Sequence, residues 1–317
     1  MGIMDYFSGW CKSKRRLDGL TVVVTGANAG IGKETALDLY DRGAKVIMAC
    51  RNTQKAEEAR SEIISKSNTK SGSLVIESLD LSRLKSVKEC ARRILEREQE
   101  INILINNAGV IRTHGRTEDG FEKQIGVNYF GHAMFTLLLL PRIIRSAPAR
   151  IVNVSSMSHK YFDVDLDDIN MERTSQGVVK SYGRSKSAIV LFTKALHLKL
   201  REHGINNVNT YSLHPGSVQT DIARDLFGNV IIFIFKYIGG AFVKSAKCGA
   251  QTTIYCAVDE ACDNESGLYY TECSVSGTSS LCSSESAAYK LYDITLGSLN
   301  IQDYDPFGEE DTPRSIL

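Results

Sequence analysis

The chain has 317 residues, 43% of them hydrophobic and 24% charged, with a formal net charge of +1. That is globular composition, which excludes a disordered or low-complexity chain; charges of both signs are interspersed, which excludes the broad basic field of a nucleic-acid binder and leaves a small molecule as the expected partner. The eight cysteines form no CxxC pair and no secretory leader precedes them, so they are expected to be reduced thiols in an intracellular, cytosol-facing protein.

Residues 1–16 carry only a broken apolar run, short of the roughly 20 residues that a spanning helix needs, and no transmembrane anchor is predicted. A β-branched strand at Thr21–Thr25 ends at Gly26, a helical pattern runs over 31–42 until Gly43 stops it, and a second apolar strand follows at Lys45–Cys50. Strand, glycine turn, helix and strand make a right-handed βαβ crossover. Further strands are expected at 74–79, 101–105, 150–154, 207–213 and 267–271, with amphipathic stretches between most of them and no linker rich in Pro, Gly or Ser. The expected fold class is therefore α/β, a Rossmann-like doubly wound parallel sheet in a single domain over residues 18–300, with an N-terminal extension at 1–17 and a C-terminal tail at 301–317. Such sheets bind ligands outside the carboxyl ends of their strands, where the strand order reverses.

The residues that follow the strands suit a dinucleotide. Thr25-Gly26-Ala27-Asn28-Ala29-Gly30-Ile31-Gly32 spaces its glycines as G-x-x-x-G-x-G, which permits a turn of positive φ and leaves the helix amides bare for a pyrophosphate. A glycine turn without a ligand is the competing reading. Lys33 places a cation in the first turn of the helix, against the macrodipole unless an anion sits nearby. After the second strand, where an acid would hold the ribose of NAD, the chain has Arg51, whose guanidinium matches a 2′-phosphate; a solvated loop residue is the alternative. Together these favour NADP(H). Asp80 is placed to accept from an adenine amino group or to cap the next helix. Asn107-Ala108-Gly109 ends the fourth strand beside the cofactor, where a purely structural turn is also open.

Tyr182 and Lys186, four apart at the start of a helical stretch, share a face. A nearby ammonium favours phenolate, so such a tyrosine can exchange a proton with a carbinol or carbonyl oxygen, although Y-x-x-x-K alone also describes an exposed helix pair. Ser155 and Ser156 follow a strand at the same sheet edge, where a hydroxyl can steady that oxygen. Asn128 is polar within an apolar stretch and either holds a water behind Lys186 or bonds the backbone. His159 and His214 are expected to be packing or surface residues, since no G-x-S-x-G elbow accompanies them, and no metal site is expected.

Taken together, Thr25-Gly26-x-x-x-Gly30-x-Gly32, Asn107-Ala108-Gly109, Asn128, Ser156, Tyr182-x-x-x-Lys186 and Pro215-Gly216 resemble the short-chain dehydrogenase/reductase family over roughly residues 18–300. The resemblance implies a catalytic tetrad of Asn128, Ser156, Tyr182 and Lys186. It extends the cofactor contacts to Asn28, Ile31, Tyr182, Lys186, Pro215, Gly216, Val218 and Thr220. Ala49-Cys50-Arg51-Asn52, His214-Pro215-Gly216-x-Val218-x-Thr220 and Gly267-Leu268-Tyr269-Tyr270 look like the retinol dehydrogenase branch, which implies NADP(H) and a small lipophilic alcohol or carbonyl such as a retinoid. Two features depart from that branch: its frequent N-terminal anchor has no counterpart, and Ser185-Lys186-Ser187-Ala188-Ile189 replaces the usual Ser-Lys-Leu-Ala-Asn. The apolar segment 226–243 is expected to form a substrate lid and to touch an internal membrane surface peripherally. A homo-oligomer stays open, and the rival function is a catalytically silent NADP(H)-binding regulatory or scaffold protein.

Overall fold

In the computed structural model, residues 3–6, 8–111, 114–173, 177–216, 244–308, 312 and 315–317 are described. Eight strands form one sheet: β1 (Thr21–Thr25), β2 (Lys45–Cys50), β3 (Ser73–Ser78), β4 (Ile103–Asn106), β5 (Ala149–Val154), β6 (Val208–His214), β7 (Leu268–Thr271) and β8 (Ser274–Val275). Their spatial order is β3-β2-β1-β4-β5-β6-β7-β8, parallel except for the antiparallel β7-β8 hairpin. The seven strands read from the sequence all exist, with ends displaced by no more than two residues. The two-residue β8 is too short to leave a periodic signal.

The long helices are α1 (Gly30–Asp41), α2 (Thr53–Lys66), α3 (Leu84–Arg97), α4 (Gly131–Arg145), α5 (Val178–Glu202), α6 (Gln251–Val258) and α7 (Glu285–Ser298). Leu39, Ile63 and Ile254 bring α1, α2 and α6 onto one face of the sheet. Val87, Phe135, Leu191 and Leu291 bring α3, α4, α5 and α7 onto the other. The central strands are covered on both sides, which is why β1, β4 and β5 are buried along their whole length and read as continuous apolar runs. The strand order turns back between β1 and β4, so the carboxyl ends of those two strands diverge and open the crevice into which the site residues project.

Residues 123–145 form the one helical stretch among those described that is long and apolar enough to cross a membrane, yet it is buried inside the protein as a core helix. All eight cysteines are unpaired. The N-terminal segment lies along the domain, with Arg15 bonded to both carboxylate oxygens of Asp263 and the Cys11 amide to Gln251. The C-terminal segment returns to α4, where Thr312 Oγ1 donates to the Leu138 carbonyl at 2.6 Å.

Arg150, on β5 and 5% exposed, ties this side of the sheet to α6 and the turn after it. It donates to the carbonyls of Cys256 and Asp259 at 2.9 and 2.7 Å and pairs with Asp263. Arg150→Met keeps the volume but strips those carbonyls of their donor, and each unmet buried polar group costs about 1–3 kcal/mol. Denaturant unfolding should show a midpoint lowered by about 2–4 kcal/mol of stability at unchanged slope; an unshifted midpoint contradicts this role.

Candidate active site

The glycine turn is built by strand geometry on one side and helix geometry on the other. Gly26 and Gly30 have φ of +67° and +52°, a region that side-chain-bearing residues rarely enter. At Gly32 a Cβ would lie 2.4 Å from the Gly26 carbonyl oxygen and 2.5 Å from Asn107 Nδ2, so α1 packs against the turn only because no side chain intervenes. Ala29 precedes α1 without a side-chain cap, and no acid occupies the first turn. The first amides of α1, with the half-buried Asn28 and Ile31 beside them, therefore form a cradle with positive potential and no internal anion. That fits a pyrophosphate.

Asn107 and Ala108 clamp this turn to β4. Their amides donate to Thr25 Oγ1 at 2.9 and 3.0 Å, and Asn107 Nδ2 donates to the Thr25 carbonyl at 2.9 Å. The structural reading of Asn107 thus has its bonds. Lys33 differs from expectation: its Nζ is 2.8 Å from Glu62 Oε2 on α2, so an internal carboxylate already offsets the cation that had seemed to await a phosphate. Arg51, just after β2, is exposed and makes no ion pair among the described residues. Asp80 Oδ1 accepts from the Ser82 amide and hydroxyl at 2.9 and 2.7 Å, which fixes the turn ahead of α3; it is not the cap of that helix, whose N-cap position is Arg83 and carries no side-chain cap.

Across the crevice, β5 delivers Ser155 and Ser156 in opposite roles. Ser155 is 2% exposed and donates to the Lys186 carbonyl at 2.7 Å, so its hydroxyl is spent inside the fold. Ser156 Oγ accepts from the Ser158 amide at 3.2 Å and lies close enough to the Tyr182 phenol to favour its ionised form. Tyr182 and Lys186 sit one turn apart on α5. Lys186 is 3% exposed, donates to the Val154 carbonyl at 2.9 Å and lies 5.7 Å from the centre of the Tyr182 ring.

The electrostatics reverse one expectation. Burial pushes the Tyr182 phenol up to about 12, only partly opposed by the nearby Ser156, where the sequence had suggested a phenol drawn down by Lys186. Lys186 stands over the ring face, where it gains cation–π attraction, while desolvation pushes it down to about 8.

Asn128 belongs to a π-helical turn, Gly126–Phe130, ahead of α4. Its Oδ1 accepts from the Val110 amide at 2.8 Å, and its Nδ2 donates to the Val110 carbonyl and to Ser185 Oγ, both at 3.0 Å. It therefore bonds backbone, and it also faces the site: a Cβ at Gly109 would lie 3.4 Å from Asn128 Oδ1 and 3.5 Å from Lys186 Nζ. Pro215 and Gly216 follow β6, with Gly216 at φ +89°. Val218, Thr220 and the 226–243 lid lie outside the described residues. Among the described residues no group of His, Cys, Asp or Glu could hold a metal.

His132 is a residue that the motifs did not reveal. Buried in α4, its Nδ1 is 3.0 Å from the Asn128 carbonyl oxygen and its Nε2 is 3.0 Å from Thr25 Oγ1. The carbonyl can only accept, so Nδ1 carries the proton and Nε2 accepts from the threonine hydroxyl. Burial holds the ring near 4, hence neutral. One imidazole thus joins the glycine turn to Asn128. Its only sequence signal is a lone histidine four residues after Asn128 in an apolar helix.

Comparison with known proteins agrees with this geometry. The short chain dehydrogenase family matches residues 20–230. Human retinol dehydrogenase 12 is 40% identical over 303 residues, covering 95% of this chain and 93% of that protein. Human retinol dehydrogenase 13 is 44% identical over 273 residues, covering 84% and 81%. Among solved structures, an uncharacterised protein from Mycobacterium paratuberculosis superposes with a TM-score of 0.72 at 32% identity, covering 92% of this chain and 97% of that one. The Pseudomonas aeruginosa RhlG/NADP complex shares the fold, with a TM-score of 0.64 at 23% identity over 80% of this chain and 94% of its own.

His132→Leu removes the partners of two buried polar groups on either side of the crevice. Unfolding should show a loss of about 2–4 kcal/mol, accompanied by weaker nicotinamide-cofactor binding in a fluorescence titration. Cofactor affinity equal to that of the unsubstituted protein would show that His132 does not couple the two halves.

Proposed function

The chain belongs to the short-chain dehydrogenase family, and on that premise we propose that it interconverts a lipophilic alcohol with its aldehyde or ketone using NADP(H), with retinol and retinal as the leading pair. The observation that carries the chemistry is Lys186 buried one turn from Tyr182 on α5, its Nζ 5.7 Å from the centre of that ring, with Ser156 beside the phenol. The retinoid assignment is supported by the names of the relatives, and a greasy substrate is consistent with the apolar segment at 226–243. A scaffold that only bound the cofactor could use Lys186 on the ribose but would have no use for Tyr182 and Ser156 set beside it at the substrate side.

The cofactor, when bound, supplies or removes hydride. The first amides of α1 would hold its pyrophosphate, Arg51 its 2′-phosphate, and Lys186 its nicotinamide ribose. With Lys33 engaged by Glu62, the preference for NADP(H) rests on Arg51 and on the lack of an acid after β2. Ser156 steadies the substrate oxygen as charge develops on it. Tyr182, with burial holding its proton firmly at neutral pH, is loaded as an acid and donates to that oxygen in reduction. Asn128 holds Val110 and Ser185 in place behind Lys186, and Ser185 in turn donates to the Tyr182 carbonyl at 2.7 Å.

Incubation with NADPH and a panel of retinal, long-chain aldehydes and steroid ketones tests the reading. Turnover should appear with at least one lipophilic carbonyl and vanish in Tyr182→Phe while NADPH still binds; no consumption with any of them, or activity retained in the variant, overturns it. Arg51→Ala should lower kcat/KM for NADPH by about tenfold to a hundredfold, the worth of a charge-assisted bond, and leave NADH nearly unaffected. Equal losses with both cofactors would remove Arg51 from the phosphate site. Reduction needs the protonated phenol and oxidation the phenolate, so reduction should hold steady through neutral pH while alcohol oxidation climbs as pH rises; parallel profiles would contradict Tyr182 as the proton carrier.

A further inference from the structure

Directly after Ser156 the chain makes a short 3-10 turn, Met157–Lys160, which turns His159 inward until none of it reaches solvent. Its Nδ1 lies 2.7 Å from the Ser156 carbonyl oxygen. The carbonyl only accepts, so Nδ1 holds the ring proton, and because burial favours the neutral ring, Nε2 is a bare acceptor. That Nε2 is buried with no hydrogen-bond partner. Next to it, from β7, comes the ring of Tyr269, 4.4 Å away between centroids. Tyr269 is 2% exposed, and its hydroxyl is likewise buried and unpartnered. Burial raises that phenol, so it keeps its proton and remains a donor. Ser158 Oγ, beside His159 in the turn, and Nδ1 of His214 are two further buried polar atoms without partners.

Folded proteins seldom leave one buried polar atom unmet, and several gathered beside a substrate-facing serine call for an occupant. We propose that His159 Nε2 and the Tyr269 hydroxyl form a second, neutral subsite behind Ser156 that holds one hydroxyl oxygen, which donates to the imidazole and accepts from the phenol. An acceptor and a donor side by side, both uncharged, suit a hydroxyl better than any ion. A water molecule or an alcohol group on the substrate would supply the same oxygen. Either one ties the turn that carries Ser156 to β7 and braces the serine from behind. The subsite itself stands on these contacts, while its kinetic consequence rests on the role given to Ser156 above.

The test is a pair of crystal structures of the full chain with NADP+, one alone and one with a hydroxylated long-chain aldehyde, at a resolution that shows ordered water. Oxygen density within hydrogen-bond distance of both His159 Nε2 and the Tyr269 hydroxyl is expected. Density without the aldehyde identifies water. Density only with it identifies the substrate hydroxyl, and the preference in kcat/KM for that aldehyde over its unsubstituted analogue should then fall about fivefold to tenfold in Tyr269→Phe. His159→Asn, whose amide can still donate to the Ser156 carbonyl, should lose the oxygen and keep that bond. If His159→Asn fails to fold, Tyr269→Phe, which removes a single atom, decides alone. No oxygen in either structure, a direct bond between the Tyr269 hydroxyl and His159, or density unchanged in Tyr269→Phe overturns the proposal. Lost turnover with the oxygen in place would instead count against the role of Ser156 and leave the subsite standing.

Discussion

The costliest feature of the site is a lysine taken out of water without a carboxylate to meet it. Lys186 is 3% exposed, and its fixed contacts are the Val154 carbonyl and the face of the Tyr182 ring. Removing an ammonium from water is expensive, and a single carbonyl repays only part of that, which is why its pKa falls to about 8. The neighbouring elements are arranged around this strain. β5 presents the Val154 carbonyl, Ser155 pins the Lys186 backbone, and Asn128 bonds the Ser185 hydroxyl just ahead of it.

The sheet makes that arrangement possible by turning its order between β1 and β4. The carboxyl ends of β1, β4 and β5 then face one crevice, and each contributes a different chemistry: bare amides from the glycine turn, the Asn107–Ala108 clamp, and the paired serines. His132 ties the end of β1 to Asn128 on the helical side of the site, since one ring touches both Thr25 and Asn128. Its neutrality matters. A charged imidazole there would repel Lys186.

Much of this was legible in the amino-acid order. Strands buried on both faces announce themselves as apolar runs, so β1, β2, β4 and β5 could be placed within two residues, and the glycine spacing and Tyr182-x-x-x-Lys186 located both halves of the site. What depended on tertiary partners could not be read. Nothing near Lys33 in sequence points to Glu62, 29 residues on, and nothing near His132 points to Thr25, 107 residues back. The direction of the Tyr182 shift was misjudged for a related reason: a four-residue spacing reports the nearby cation and is silent on how far the fold desolvates the phenol. Ser156 could be separated from Ser155 by resemblance alone until the structure showed Ser155 bonded to the Lys186 carbonyl.

The proposed hydride chemistry, cofactor phosphate and lipophilic substrate rest on different residues, and Lys186 is the one that joins cofactor ribose to phenol in that proposal. Its ionisation is open to direct measurement. Lysine-selective isotope labelling and NMR titration of the cofactor-free protein, with the Lys186 signal assigned by its loss in Lys186→Met, should show a midpoint near 8, well below the ordinary value of 10.5. A midpoint at the ordinary value would mean that Lys186 is solvated, and the account of a buried lysine acting with Tyr182 as one acid–base unit would fail.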